Sequence, residues 1–174
     1  NFIHRWTKNG HEIMNLLLQS SSIQHPAFIK ITGSKSETNR LLLLQALYPN
    51  LTLKNTSNSD DSEVMQKALA FTHHPSPITQ TIDVLHAGTA MRFLTAFFAI
   101  QEGKEVVLTG SSRMKERPIK ILVEALNQLG ADISYEENEG FPPIKIIGKK
   151  LIQNKVSLPA NVSSQYISAL LLIA

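Results

Sequence analysis

Residues 81–109 read TIDVLHAGTAMRFLTAFFAIQEGKEVVLT, and three elements can be recognised within them. Residues 81–85 and 105–109 are short runs rich in β-branched side chains, which are typical of strands. Between them, residues 88–100 form a longer, strongly apolar run that begins at a glycine and is typical of a buried helix. A strand, a helix and a second strand in this order indicate a mixed α/β domain.

The same alternation extends to both sides of this stretch. Upstream, the patterns predict strands at 28–31 and 51–54 and helices at 36–47 and 61–71. Downstream, they predict a helix from Pro118 to Gly130, strands at 132–135, 144–147 and 155–158, and a helix from about Ser163. The prolines within 74–77 predict a loop. We therefore expect an α/β (mixed α+β) fold built from a duplicated unit.

The composition is that of an ordinary globular domain. Of 174 residues, 43% are hydrophobic, and 17 Lys and Arg stand against 14 Asp and Glu, a net charge of +3. So small an excess, without a basic run, argues against a nucleic-acid partner. The longest apolar runs fall short of the ~20 residues of a membrane-spanning helix, so no membrane partner is expected. The absence of cysteine excludes disulfide and thiolate chemistry and makes the cytoplasm the default location.

Both ends of the chain raise questions about its extent. Met14 suits a natural start, so residues 1–13 are either native or a non-native or disordered extension, and both alternatives stay open. They do not have the layout of a signal peptide. At the other end, the last helix is expected to continue past Ala174, because the chain ends in an apolar run without a cap. Residues 33–174 are therefore expected to form a domain that is incomplete at its C-terminus.

Four segments place polar or cationic residues at predicted helix openings, where unpaired backbone N–H groups and the helix dipole favour anions. They are residues 33–40 (GSKSETNR), 86–92 (HAGTAMR), 111–118 (SSRMKERP) and 162–166 (VSSQY). Each segment alone also has a plain structural explanation, as a capped helix with solvated charges. Convergence of all four would make an anion pocket.

Particular residues in these segments suit an anionic ligand. Ser36 and Arg40 are four residues apart on one helix, so both side chains can reach a single ligand. Gly88 has no Cβ and permits close approach of the backbone to a bound molecule. The planar fork of Arg113 matches phosphate and carboxylate oxygens two at a time.

Taken in this order, the four segments resemble the 5-enolpyruvylshikimate-3-phosphate synthases, enolpyruvyl transferases of the shikimate pathway. The family's Lys-Ser-x-Ser/Thr-Asn-Arg, Asn-Ala-Gly-Thr-Ala-Met-Arg, Arg-Met-Lys-Glu-Arg-Pro and Ser-Ser-Gln elements have counterparts at 35–40, 86–92, 113–118 and 163–165. The resemblance covers residues 31–174 and implies one domain of an inverse α/β barrel, with helices in the centre, sheets outside and repeated βαβαββ units. It also implies that residues 14–32 would begin in the other domain of a full-length relative.

The resemblance implies a reaction and a set of residues for it. The enolpyruvyl group of phosphoenolpyruvate would pass to the 5-hydroxyl of shikimate 3-phosphate, releasing phosphate, with no cofactor and no metal. Shikimate 3-phosphate would be held by Lys35, Ser36, Arg40, Ser163, Ser164 and Gln165, phosphoenolpyruvate by Lys35, Gly88, Arg113 and Gln165, and Lys35 and Arg113 would be catalytic. The remaining groups would come from the missing C-terminal domain, so the chain alone is expected to be inactive.

One departure and two alternatives accompany this interpretation. His86 stands where the family usually has Asn, and because no second His or carboxylate lies at ligand spacing, we interpret it as a structural histidine and not as a metal ligand. A related UDP-N-acetylglucosamine enolpyruvyl transferase is the first alternative, although its reactive cysteine has no counterpart here. A non-catalytic anion-binding domain is the second.

Overall fold

The computed structural model describes the backbone of residues 4–8 and 11–15, and residues 28–71, 79–159 and 161–174 with their side chains. The chain divides into two units, Asn1–Ile31 and Thr32–Ala174. In the first unit, β1 (His4–Lys8) and β2 (His11–Asn15) pair antiparallel, with Trp6 opposite Ile13. That residues 1–13 are a non-native extension, and that 14–32 belong with another domain, stay predictions.

The described part of the second unit is a helical layer with a single mixed sheet. Its helices are α1 (Lys35–Leu47), α2 (Asp60–Ala70), α3 (Gly88–Ala99), α4 (Ser112–Lys115), α5 (Lys120–Gln128) and α6 (Ser164–Leu171). Its strands are β3 (Gln80–Asp83), β4 (Glu105–Thr109), β5 (Asp132–Tyr135) and β6 (Ile144–Ile147). The sheet order is β3-β4-β6-β5, in which β3 and β4 are parallel and the other neighbours antiparallel. The predicted mixed α/β class is confirmed.

Helix α3 is the centre of the second unit. Every residue of α3 except Thr89 is buried, and the helix packs against α1, α2, α5 and α6 as well as β4 and β6. The rings of Phe97 and Phe98 meet edge to face at 5.3 Å, and both are 1% exposed. This apolar character explains the sequence pattern, yet no helix in the described ranges is long and apolar enough to cross a membrane.

The elements from β3 onward follow one another as a βαβαββ unit, with the short α4 inserted before α5. Two devices fix the connection between α5 and β5. Gly130 takes the left-handed conformation at φ +104°, which ends the helix as the sequence predicted. The Asn127 side chain then donates to the carbonyl of Ile133 at 3.0 Å and accepts from its N–H at 3.1 Å, so the strand starts in a defined position.

The structure contradicts several element predictions. Residues 28–31, 51–54 and 155–158 were predicted as strands and have no regular secondary structure. An alternating pattern becomes a strand only where a neighbouring strand completes its hydrogen bonds, and these three runs pair with no strand among the described residues. Helix α6 ends at Leu171 instead of running to the end of the chain, and α5 begins two residues after Pro118. The proline loop within 74–77 lies outside the described residues.

Candidate anion-binding site

The first segment places its cation and hydroxyl side chains at the start of α1. Ser34 is the N-cap, and its hydroxyl accepts from the N–H of Glu37 at 3.5 Å. Lys35 and Ser36 follow in the first turn, and Arg40 lies one turn further along; all three are exposed. The cap therefore starts the helix where the motif predicted, with the three candidate ligand side chains accessible.

The intervening residues of this motif face the protein interior. Thr38 and Asn39 are 3% and 0% exposed. The hydroxyl of Thr38 accepts from the N–H of Ser57 at 2.9 Å, and the amide oxygen of Asn39 accepts from the hydroxyl of Ser62 at 2.9 Å. These bonds attach α1 to α2 and to the loop before it, so the motif divides into a structural face and an exposed face.

Lys35 has a partner that sequence reasoning missed. Its Nζ lies 3.3 Å from Oδ2 of Asp61, in the first turn of α2, where the helix dipole favours a carboxylate. The Asp61 side chain is 14% exposed, against 50% for Lys35. The acidic first turn, which also holds Asp60 and Glu63, was the available signal, but nothing local says which carboxylate faces α1.

The second segment opens α3 after a strained turn. Leu85 has φ +53°, a left-handed conformation that is costly for a residue with a Cβ. Its N–H donates to the Asp83 carboxylate at 2.7 Å, and its carbonyl accepts from the N–H of Ser111 at 2.9 Å. Ala87 is the N-cap and supplies no side-chain cap, so in the described ranges no hydrogen bond from a capping side chain occupies the N–H groups that begin α3 at Gly88.

The space in front of Gly88 is filled by two guanidinium groups. A Cβ built there would lie 2.5 Å from Nη1 of Arg117 and 2.9 Å from Nη1 of Arg92. Nη1 of Arg92 also donates to the Gly88 carbonyl at 2.7 Å. The missing Cβ leaves clearance for these arginine side chains, and close approach of a ligand to Gly88 stays a prediction.

The third segment borders an open cavity of about 560 Å³. The cavity is lined by His86, Arg113, Met114 and Arg117. Met114 is 2% exposed and anchors α4, while Arg113 and Arg117 are exposed on either side of it. His86 is also exposed, so the structure does not support its interpretation as a structural histidine. Lys115 does not line the cavity; its Nζ lies 2.6 Å from Oε1 of Glu137.

The fourth segment opens α6 and reaches the second. Ser163 is the N-cap, and its hydroxyl accepts from the N–H of Gln165 at 3.3 Å. Ser164 is exposed. The amide nitrogen of Gln165 donates to the hydroxyl of Thr89 at 3.3 Å, which joins the openings of α6 and α3.

The second, third and fourth segments are thus in contact with one another. Helices α1 and α2 pack on α3, but no described contact joins Lys35 to Arg113 or Ser164, so its convergence with them stays a prediction.

In the described ranges, no three His, Cys, Asp or Glu side chains are grouped as metal ligands. Sequence reasoning missed Arg92, although it is the single charge in the apolar helix α3 and is 8% exposed.

Comparison with solved structures shows the class of fold to which this chain belongs. A solved structure of an EPSP synthase from Acinetobacter baumannii matches with a TM-score of 0.68 and 21% sequence identity, over 83% of this chain and 37% of that one. At this identity the match concerns the fold alone. The second unit therefore has the fold of part of an enolpyruvyl transferase.

Sequence comparison identifies the family. The model of the EPSP synthase (3-phosphoshikimate 1-carboxyvinyltransferase) family matches residues 23–174, so the chain belongs to this family. A 3-phosphoshikimate 1-carboxyvinyltransferase from Bacteroides fragilis is 48% identical over 161 residues, which are 92% of this chain and 37% of the relative. One from Vibrio campbellii is 41% identical over 84% of this chain and 39% of the relative. The chain thus spans well under half the length of these relatives, and their name favours the shikimate enzyme over the UDP-N-acetylglucosamine alternative.

Proposed function

We propose that this chain provides part of the active site of a 3-phosphoshikimate 1-carboxyvinyltransferase. The enzyme would transfer the enolpyruvyl group of phosphoenolpyruvate to the 5-hydroxyl of shikimate 3-phosphate and release phosphate, without a cofactor. A C-terminal domain would be its partner in forming the complete site. The cysteine-free sequence suits a cytoplasmic enzyme.

Shikimate 3-phosphate would bind to the openings of α1 and α6. Its phosphate would accept hydrogen bonds from the hydroxyls of Ser163 and Ser164 at the N-terminus of α6, where the helix dipole also favours negative charge. Ser36 and Arg40 would contact the same ligand from α1, with Lys35 and Gln165 between the two substrates. The exposure of Ser36, Arg40 and Ser164 supports this, because each can reach a ligand without local unfolding.

Phosphoenolpyruvate would bind beside the opening of α3. Gly88, Arg113 and Gln165 would contact it together with Lys35. The 5-hydroxyl oxygen would lose its proton and bond to C2 while C3 takes up a proton and becomes a methyl group. The tetrahedral intermediate would then lose phosphate from C2 and one proton from that methyl group. Cations fixed around the two polyanionic substrates lower the cost of bringing these substrates together. The attraction of one unit charge pair at 4 Å is ~4 kcal/mol at an effective dielectric of 20, against ~1 kcal/mol in water. Lys35 and Arg113 would supply this stabilisation.

A single observation carries the proposal: the hydrogen bond from Gln165 to Thr89 joins two family motifs that are 76 residues apart in sequence. Each motif alone also suits an ordinary helix start. Their contact, together with the cationic cavity beside Gly88, makes one polar surface of three segments. Such a surface suits a small polyanion better than it suits a macromolecular partner.

The test is calorimetric titration of the chain with each substrate. We expect weak binding of shikimate 3-phosphate, little binding of phosphoenolpyruvate and no turnover, because the second domain is needed to complete the site. Arg40→Ala should abolish the binding of shikimate 3-phosphate. Lys150→Ala removes an exposed cation outside the four segments and serves as the matched control; it should bind as the parent chain does.

Two results would contradict parts of the proposal, and a third would favour the alternative function. Unchanged binding by Arg40→Ala would show that the α1 opening does not hold shikimate 3-phosphate. Turnover by the isolated chain would show that no second domain is required. Binding of both substrates and of inorganic phosphate with equal affinity would favour a non-catalytic anion-binding domain instead.

A further inference from the structure

Tyr166 occupies the meeting point of three of the four segments. It is the residue after Gln165 in the first turn of α6, and it is 6% exposed. Its N–H donates to the Ser163 carbonyl at 3.0 Å, within the turn that carries the hydroxyls of the fourth segment. Any displacement of Tyr166 therefore displaces that turn.

The hydroxyl of Tyr166 reaches the third segment. It donates to the carbonyl of Pro118 at 2.8 Å. The first backbone bonds of α5, from Leu122 and Val123, go to the carbonyl of Ile119 at 3.0 and 3.2 Å. The Pro118 carbonyl is thus available for Tyr166, and the bond attaches α6 to the residue that follows Arg117.

The ring of Tyr166 reaches the second segment. The guanidinium carbon of Arg92 lies 5.4 Å from the centre of the ring, within the range of a cation–π contact. Burial of a charge is costly unless it is compensated, and the described residues give Arg92 no carboxylate partner. The ring and the Gly88 carbonyl are the compensation that the structure provides, so the ring helps to hold Arg92 against the opening of α3.

The packing of the Tyr166 ring alone does not require its hydroxyl group. A phenylalanine would fill almost the same volume, whereas a buried hydroxyl is tolerated because it is hydrogen-bonded. Gln165 and Tyr166 make their contacts in different directions, Gln165 to Thr89 on α3 and Tyr166 to Pro118 before α5. Together these two bonds fix both the position and the rotation of the α6 opening.

We propose that Tyr166 is a positioning residue that holds the Ser163–Gln165 turn in register with the Arg113–Pro118 segment. This inference rests on the proposed function, because the turn and the segment are assigned to the two substrates of one reaction. Tyr166 itself need not touch either substrate. Its effect on binding would pass through the placement of Ser163, Ser164 and Gln165.

The test compares Tyr166→Phe with Tyr135→Phe. Both variants remove a phenolic hydroxyl and keep the ring, but the Tyr135 hydroxyl, on β5, is buried without a hydrogen-bond partner among the described residues. Amide hydrogen exchange of α6 and titration with shikimate 3-phosphate are measured on both variants of the chain, at a temperature where circular dichroism shows them fully folded. Tyr166→Phe should speed exchange of the α6 amides and weaken binding by roughly three- to tenfold, the effect of one lost hydrogen bond. Tyr135→Phe should change binding by less than twofold.

The two measurements separate this inference from the proposed function. If the parent chain fails to bind shikimate 3-phosphate, the proposed function is wrong, and the exchange measurement still decides whether Tyr166 holds α6 in place. Faster exchange in Tyr166→Phe with unchanged binding would reduce Tyr166 to a structural residue and overturn the positioning role. Unchanged exchange would overturn it as well.

Discussion

At Lys35, the cation that we assign to both substrates is already engaged by a carboxylate of the same domain. The pair with Asp61 is 3.3 Å long, and an anionic ligand must compete with Asp61 for the ammonium group. Asp61→Asn removes the competing charge while keeping the shape of the side chain. Because the side chain of Lys35 is half-exposed, solvent screens the pair and we take its contribution as at most ~1 kcal/mol. Shikimate 3-phosphate should therefore bind roughly two- to fivefold more tightly, as measured by calorimetry.

The control for this change is its neighbour. Asp60→Asn removes a carboxylate from the same first turn of α2 and loses the same interaction with the helix dipole, about 0.3–1 kcal/mol of stability. No ion pair joins Asp60 to Lys35 in the described structure, so its effect on binding should be near zero. Weaker binding by Asp61→Asn would mean that the carboxylate orients Lys35 for the ligand instead of competing with it.

Single residues of the site could be predicted from the sequence only where a local rule applied. Ser34 and Ser163 are caps because short hydroxyl side chains accept from the N–H groups of a helix start, and this chemistry lies within a few residues. The partners of Lys35 and Gln165 come from other elements. Asp61 and Thr89 could therefore not be chosen from the sequence, since many equivalent carboxylates and hydroxyls were available.

At the scale of elements, the two central strands of the sheet, β4 and β6, carry a pH-dependent contact. The hydroxyl of Thr79 donates to Glu105 on β4 at 2.5 Å, and Lys145 on β6 lies 2.9 Å from the same carboxylate oxygen. The hydrogen bond from Thr79, followed by that from Lys145, lowers the pKa of Glu105 below its ordinary value of 4.5. The carboxylate therefore stabilises the folded state above the unfolded pKa, and this contribution is lost as the pH falls through the lower, folded pKa.

Glu105→Gln should remove this dependence. We expect the free energy of unfolding of the variant to decline less steeply than that of the parent between about pH 5 and pH 3, because one fewer carboxylate must be protonated against its contacts. Urea titrations at a series of pH values measure the slope. Glu102→Gln, at an exposed position with no described ion pair, is the control and should keep the parental slope within error. Parallel curves for Glu105→Gln and the parent would contradict the expectation.

Strands were predicted correctly where the strand pattern of the sequence was bounded by turns and a neighbouring strand completed its hydrogen bonds. The strands at 105–109, 132–135 and 144–147 have the predicted bounds, because they pair with one another in one sheet. The run at 51–54 has a similar alternation and no partner strand, so it stays irregular. Alternation of apolar and polar residues indicates that a strand is compatible with the sequence. Whether the strand forms depends on pairing with residues far away in the chain.

At the scale of the whole second unit, stability depends on α3. Phe97→Ala would leave a cavity in the helix that packs against most other elements, and such changes cost ~3–5 kcal/mol. Domains of this size have ~5–15 kcal/mol in total, so the variant should be close to unfolding at 37 °C. Chemical denaturation followed by far-ultraviolet circular dichroism measures the loss.

An exposed residue of the same type provides the control for that loss. Phe28 is 102% exposed, and Phe28→Ala should change stability by no more than ~0.5 kcal/mol. A loss below ~1 kcal/mol for Phe97→Ala would show that the core can collapse around the cavity, against the close packing expected of protein interiors. In that case α3 would not be the organising element that its burial indicates.

The packing of α1 and α6, which carry two of the four segments, around α3 has a thermodynamic consequence. The polar surface exists only when this helix is in place, so the unfolded chain retains no version of it, and whatever anion binds must act as a stabiliser of the native state. At a concentration one hundred times its dissociation constant, such an anion would add ~2.7 kcal/mol to the unfolding free energy. A melting curve recorded with a series of phosphorylated and carboxylated metabolites would therefore rank them by affinity, with no catalytic assay.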